Sequence, residues 1–427
     1  MGISVLIVGS GAREHALTWK ALQSPLTTAV FCAPGNAATA AIAINTGLDA
    51  TDVDGIARFV AERDIGLTVI GPEAAVAAGL ADRLLEARRL VFGPTRAAGR
   101  IESSKAFAKS LMERTGVPTP GHRVFDNPAA AKDYVRGEQR AFVVKADGLA
   151  KGKGTLVPRD TEETLESIDI LMLQRTVGGA ADRIVLEEKI EGREVSLMAL
   201  VDGEHVLALQ PACDYKRALD GDRGPNTGGM GGYSPVPAFD ADDVQRAVET
   251  VLAPIVGALR DAGTPYRGCL YAGLMIGATS VQVLEFNARF GDPEAQVLLP
   301  RLETDLIALL EAAASGNLAS ASASWTNRAS VGVVLASRGY PGTYSTGVAI
   351  DGLGTVERDV FVFHAGSAAS PSGYVTAGGR VLTVVALADS LADARDRAYR
   401  NVNRIRFDGM SFRRDLAQRE VETPALR

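Results

Sequence analysis

The stretch VQVLEFNARFGDPEAQVLLPRL, residues 281–302, sets the frame for the rest of the chain. Its first ten residues alternate at the strand period of two, which puts Leu284, Phe286, Ala288 and Phe290 on one face, fit for burial. Glu285, Asn287 and Arg289 fall on the other face, about 7 Å apart from residue i to i+2. A carboxylate beside an amide oxygen suits a hard cation such as Mg²⁺, which shares its oxygen ligands with substrate phosphates. An arginine further along the same row can clamp a phosphate or acyl phosphate with its planar fork. Alone, the row reads rather better as a half-exposed edge strand with a solvated charged face. The turn that follows, Gly291-Asp292-Pro293-Glu294, is rich in carboxylate and favours a metal and phosphate site.

Bulk properties narrow the setting. At 427 residues the chain exceeds one compact core and implies about two to four domains. A net charge of −6 argues against a nucleic-acid binder, which must neutralise phosphates. No apolar run reaches the roughly 18 residues of a bilayer span, and no signal peptide is read at the N-terminus. Cys32, Cys213 and Cys269 are scattered without CxxC spacing, so neither a disulfide framework nor a zinc site is expected, and a reducing cytoplasm is the expected location.

Working outward, residues 3–8 form an apolar run suited to a strand buried on both faces. It runs into Gly9-Ser10-Gly11-Ala12-Arg13-Glu14 and a helical pattern, a strand–turn–helix arrangement that can bind an anion. Glu14 stands where a dinucleotide fingerprint would have its third glycine, so this turn reads equally as a tight connection. Strands and helices continue to alternate over roughly the first hundred residues, predicting a parallel, doubly wound domain. Pro34-Gly35-Asn36 and Gly71-Pro72-Glu73 fall on its ligand-binding carboxyl edge.

A helix is predicted near 104–115, with Lys105 and Lys109 on one face, read as solvated. Residues 141–157 carry Lys145 on a strand, then Gly148, Lys151, Gly152, Lys153 and Gly154 in a loop able to wrap phosphate oxygens. Residues 184–200 read as two strands around Glu191-Gly192, and 214–235 as a long glycine-rich functional loop. The segment from about 329 onward reads as a separate α+β cap.

These motifs, in this order, resemble the phosphoribosylamine–glycine ligase family of the ATP-grasp superfamily. The matching stretches are GSGAREHA, PGNA, GPEAAVAAGL, SSKAFAK, VVKADGLAKGKG, LEEKIEGREVS, DGDRGPNTGGMGGYSP, YAGLM, LEFNARFGDPEAQVLLPRL, HAG and GGRVL, spanning nearly the whole chain. The resemblance implies a multidomain α/β and α+β fold: a Rossmann-like domain at 1–103, an ATP-grasp core of two α+β lobes at 104–328 with a mobile lid at about 122–191, and a small α+β domain at 329–427. It implies that ATP, glycine and 5-phosphoribosylamine give glycinamide ribonucleotide, ADP and phosphate through a glycyl phosphate, with Mg²⁺ or Mn²⁺. Glu285 and Asn287 would hold the metal, and Arg289, Lys145 and Asp292 would serve catalysis. Lys105, Lys145, Gly148, Lys151, Gly152, Gly154, Glu187, Lys189, Ile190 and Glu194 would bind ATP. Gly9, Gly11, Arg13, Asn36, Asp214, Lys216, Pro225, Asn226, Thr227, Gly228, Gly229 and Arg289 would face glycine and phosphoribosylamine. Ala12, where the family usually has a second consecutive glycine, and Tyr215, where a histidine is common, depart from the pattern.

Three other readings compete: a biotin-carboxylase-type ATP-grasp enzyme, which GPNTGGMG and RFGDPE argue against; a nicotinamide oxidoreductase, which Glu14 weakens; and a catalytically dead nucleotide-binding regulator, which intact Lys105, Lys145, Glu285 and Asn287 argue against. No nucleic-acid or membrane partner is expected. The oligomeric state is open, a monomer being slightly favoured.

Overall fold

The computed structural model describes residues 2–150, 152–277 and 280–422. The N-terminal run becomes the central strand Ile3–Gly9 of a five-stranded parallel sheet, flanked by Thr27–Pro34 and Leu67–Ile70, with Ile44–Asn45 and Val91–Phe92 at the edges. Its alternate residues feed two different cores. Val5 and Ile7 pack with the helix Ala12–Ala21, while Leu6 and Val8 pack with Ile56, Val60 and Leu84 from the other face. That double burial is why the run is continuously apolar.

Two further sheets bound the cleft. One is antiparallel, ordered Val206–Ala208, Arg193–Asp202, Arg267–Ile276 and Val281–Asn287. The other is ordered His122–Phe125, Ile184–Glu188, Phe142–Ala146 and Thr155–Leu156, and has its own core, which includes Val135, Phe142, Val144 and Ile184. The strands Ile184–Glu188 and Arg193–Asp202 therefore belong to different sheets, and residues 189–192 cross from one lobe to the other.

The last hundred residues do not stand apart as a cap. Their strands Ala329–Ala336, Arg380–Ala388 and Val360–His364 extend a sheet begun by Cys213–Asp214 and Gly231–Ser234. Every residue of Ala329–Ala336 is buried, so this strand needs neighbours on both edges and both faces. Val331 and Val384 share one core with Val195 and Leu270 of the antiparallel sheet.

The stretch 281–302 departs from simple alternation at one point. Glu285 pairs with Gly273 and Val283 with Leu274, which leaves Leu284 as an extra residue, a β-bulge. Val283, Phe286 and Ala288 are buried in the core, whereas Leu284, expected on that face, lines the cleft beside Glu285. The regular strand ends at Asn287.

Candidate active site

A cleft of about 1370 Å³ lies where the parallel sheet, both lobes and the C-terminal segment meet. The helix Lys105–Thr115 starts at its rim. Ser104 caps it, and Asp147 holds its first turn by accepting from Ser104 Oγ (2.9 Å) and the Ala106 amide (2.8 Å). Lys105 projects into the cleft, and its ammonium has no hydrogen-bond or ion-pair partner among the described residues. Lys145 Nζ donates to Glu187 Oε2 (2.8 Å) and to the carbonyl of the bulged Leu284 (2.9 Å). Lys216 Nζ lies 3.1 Å from Glu194 Oε2 and 3.8 Å from Glu285 Oε1.

Three lysines thus surround Glu285. Burial alone would push its carboxyl up; Lys216, Lys145, Lys105 and Arg289 outweigh that and hold it at about 2. Glu285 is a carboxylate at any physiological pH. Burial would draw the Lys216 ammonium down, but Glu194, Tyr271, Glu285 and Asp214 hold it well above the ordinary lysine value.

Arg289 is fixed by partners that its own segment does not announce. Its Nε lies 2.9 Å from Glu73 and 3.1 Å from Glu102, and its NH2 donates to Asn287 Oδ1 (3.3 Å). Glu102 also accepts the Ala288 amide at 2.8 Å. The Gly71-Pro72-Glu73 turn signalled an edge position for Glu73. Nothing local signals Glu102, which sits in the short helix Arg100–Ser103.

Asp292 pairs with Arg380, whose NH2 lies 3.0 Å from Asp292 Oδ2. The NH1 of the same guanidinium donates to the carbonyls of Asp292 (3.0 Å) and Gly228 (2.5 Å). Tyr340 OH accepts the Gly228 amide at 2.9 Å. Arg413, also from the C-terminal segment, pairs with Asp222 and Asp415 and stacks over Tyr215. The glycine-rich loop is therefore held from the C-terminal segment, whose sequence predicts a separate cap. Asp214 Oδ1 is buried without a hydrogen-bond partner among the described residues, and burial together with Glu294 raises its carboxyl well above the usual range.

Several expected residues take other places. The Gly11 amide is not free for an anion: it donates to Glu14 Oε2 (2.7 Å), while Glu14 Oε1 accepts from Arg13 Nε (2.6 Å). A side chain on Gly9 or Gly71 would run into that Glu14 carboxylate, which fills the turn. Gly9, Gly11 and Arg13 still form cleft wall. Asn36 does not line the cleft; its amide donates to the carbonyls of Ser10 and His364 and its oxygen caps Ala38 and Thr39, so its hydrogen-bonding capacity is used in joining the two ends of the chain. Gly148 packs against Ala180, where a β-carbon would clash, and is absent from the lining. Gly152, Gly154, Lys189, Ile190, Glu194, Asn226, Thr227 and Gly228 line the cleft. Pro225 is exposed outside it. Gly229 lies behind the wall at φ +104°, pressed against Pro293 and Asp214, which only glycine tolerates. Both Glu187 oxygens face lysines. Lys151 lies outside the described residues.

Three models of one family match most of the chain: the phosphoribosylglycinamide synthetase N domain at residues 3–102, its ATP-grasp (A) domain at 103–295 and its C domain at 330–419. A phosphoribosylamine–glycine ligase from Streptomyces coelicolor is 49% identical over 420 residues, covering 97% of this chain and 99% of that protein. The chain belongs to the phosphoribosylamine–glycine ligase family. Its fold is also that of the family: a crystal structure of the ligase from Thermotoga maritima superposes with a TM-score of 0.85 at 33% identity, over 97% of this chain and 100% of that one. A biotin carboxylase from Campylobacter jejuni shares the fold at TM-score 0.74 and 16% identity, over 99% and 95% of the two chains. In this ligase-family chain the oxygens of Glu285 and Asn287 suit a hard divalent cation. Among the described residues no three His, Cys, Asp or Glu side chains converge into a cage. A cation at Glu285 would complete its shell with phosphate oxygens and water, as Mg²⁺ commonly does.

Proposed function

We propose that this chain joins glycine to 5-phosphoribosylamine at the expense of ATP, releasing ADP, phosphate and glycinamide ribonucleotide in purine biosynthesis. The observation that carries the reading is the ring of Lys105, Lys145 and Lys216 around an ionised Glu285, with Arg289 anchored alongside. Phosphoryl transfer needs charge neutralisation and in-line positioning more than acid–base groups, and this cluster offers the former. Glu285 and Asn287 would hold Mg²⁺ or Mn²⁺, which supplies further charge neutralisation between the phosphates.

In the proposed sequence a glycine carboxylate oxygen attacks the γ-phosphorus and ADP departs, giving glycyl phosphate. The amine of phosphoribosylamine then attacks the acyl carbon and phosphate leaves. Lys105 and Lys145 bind the nucleotide phosphates, and Arg289 steadies the transferring group. Gly152 and Gly154 cover the phosphates and exclude water. Glu194 takes the ribose hydroxyls, and Lys189 and Ile190 hold adenine through their backbone at the interlobe crossing. Asp214, Lys216 and the loop Asn226–Gly228 receive glycine and phosphoribosylamine, with Asp292 setting that loop through Arg380. The proposed domains are 1–103, 104–328, with 122–191 as a mobile lid, and 329–427, the last sharing a sheet with Cys213–Asp214 and Gly231–Ser234 of the core. Among the described residues no helix is long and apolar enough to cross a membrane; a cytoplasmic location and a monomer are part of the proposal.

The test is ADP release with ATP, Mg²⁺, glycine and phosphoribosylamine generated in situ from ribose 5-phosphate and ammonia. Release that requires both substrates supports the reading. Release that ignores glycine but needs bicarbonate overturns the substrate and leaves the fold.

A further inference from the structure

The helix face that it shares with Lys105 predicts a solvated Lys109. It is instead only 2% exposed. An ammonium withdrawn from water needs partners, and Lys109 has two: it forms an ion pair with Glu187 Oε1 at 3.2 Å and donates a hydrogen bond to Thr119 Oγ1 at 2.6 Å. The other Glu187 oxygen accepts Lys145 Nζ at 2.8 Å. One carboxylate, itself 1% exposed, thus bridges two ammoniums. Thr119 Oγ1 donates to the Val283 carbonyl at 2.8 Å, and Lys145 Nζ donates to the adjacent Leu284 carbonyl at 2.9 Å. The cluster therefore spans both lobes and ends on the bulge next to Glu285.

The charge count gives the arrangement its meaning. Glu187 with Lys145 alone would be a neutral pair, and the charge Lys145 offers to the cleft would be cancelled. With Lys109 sharing the carboxylate, the trio carries one net positive charge. Burial draws the Lys109 ammonium down to about 8 while Glu187 holds it up, so the trio keeps that charge at neutral pH.

We propose that Lys109 is a positioning residue for nucleotide phosphates: by occupying one oxygen of Glu187 it leaves Lys145 positively charged and aimed into the cleft. This rests on the reading that Lys145 meets those phosphates. It also assigns Glu187 the part of a bridging counter-ion between the two lysines.

The experiment compares the binding of ADP and of adenosine to the full chain by calorimetry. Lys109→Met should weaken ADP on the order of tenfold, the effect of losing one nearby charge, and leave adenosine within about twofold. Lys109→Arg should bind ADP as the parent does. Lys109→Met combined with Glu187→Gln should recover most of the lost ADP affinity, because the net charge returns to one; a merely structural lysine would show no such recovery. Unchanged ADP binding in Lys109→Met, equal weakening of both ligands, or no recovery in the double variant would overturn the inference. Lys145→Met separates the two levels. If it weakens ADP and Lys109→Met does not, the inference alone fails; if Lys145→Met has no effect, the phosphate reading fails and the inference falls with it.

Discussion

Arg380→Met removes a guanidinium that ties the C-terminal segment to two cleft elements at once. The side chain is replaced by one of similar reach without charge or donors. Lost are the 3.0 Å pair with Asp292 Oδ2 and the bonds to the Asp292 and Gly228 carbonyls. Breaking a buried pair by removing one partner costs about 3–5 kcal/mol. Here the two side chains are 21% and 15% exposed and Gln296 still donates to Asp292 Oδ1, so the lower end applies, about 3 kcal/mol. Burial would push the Asp292 carboxyl up, and Arg380 with Arg13 holds it below the usual range; without Arg380 it rises. Urea unfolding should show the stability loss as a lower midpoint at unchanged slope. With the Gly228 carbonyl released, KM for glycine and for phosphoribosylamine should rise about tenfold while KM for ATP stays within about threefold, since Arg380 touches none of the lysines around Glu285. In an Asp292→Asn background the same substitution should cost about half as much, because no orphaned charge is left. A loss under about 0.5 kcal/mol, or equal changes in all three KM values, would refute this account of Arg380.

Glu285→Ala is expected to lower turnover at least about 100-fold while the chain still folds, at a lower unfolding midpoint, because it removes the proposed metal ligand and a counter-charge of Lys216, Lys145 and Lys105; parent-like turnover in steady-state assays would remove Glu285 from the proposed metal site. Stability should fall below neutral pH. Burial lowers His15 to about 3, with His364 adding to the effect, and burial lowers His364 to about 4. Both rings stay neutral in the folded state while the unfolded chain takes up protons below about 6.5. The contribution is therefore whole above about 6.5 and declines as pH falls toward 4, by up to about 2 kcal/mol per ring at pH 5. Protonating His15 Nδ1 would also break its bond from the His364 amide. Urea midpoints at pH 7 and pH 5 measure this, and His364→Gln should flatten the difference; an equal slope in that variant would discount the ring. Gly71→Ala should destabilise by about 2 kcal/mol, because its β-carbon meets both Glu14 Oε1 and the Val8 carbonyl; a thermal melt indistinguishable from the parent would show that the Glu14-filled turn can yield.

Much of this protein follows from local pattern. The doubly buried strand Ile3–Gly9, the capped helix after Ser104, and the row Glu285–Asn287–Arg289 are all legible because period, turn chemistry and capping act over a few residues. The ordered motifs carry the family in the same way. What the residues around the cleft actually touch was decided elsewhere. Alternation alone put Leu284 in the core, but a bulge set by pairing with Gly273 and Leu274 turned it to the cleft and offered its carbonyl to Lys145. A helix face made Lys109 look solvated, until the sheet carrying Glu187 covered it. Asn36 looked like a ligand, but its amide was taken by His364 from the far end of the chain. Arg289 and Asp292 found their counter-charges in Glu73, Glu102 and Arg380, residues distant in sequence. Periodicity reports which way a side chain points relative to its own backbone; the partner of a buried charge is chosen by desolvation among groups that only the folded chain brings together.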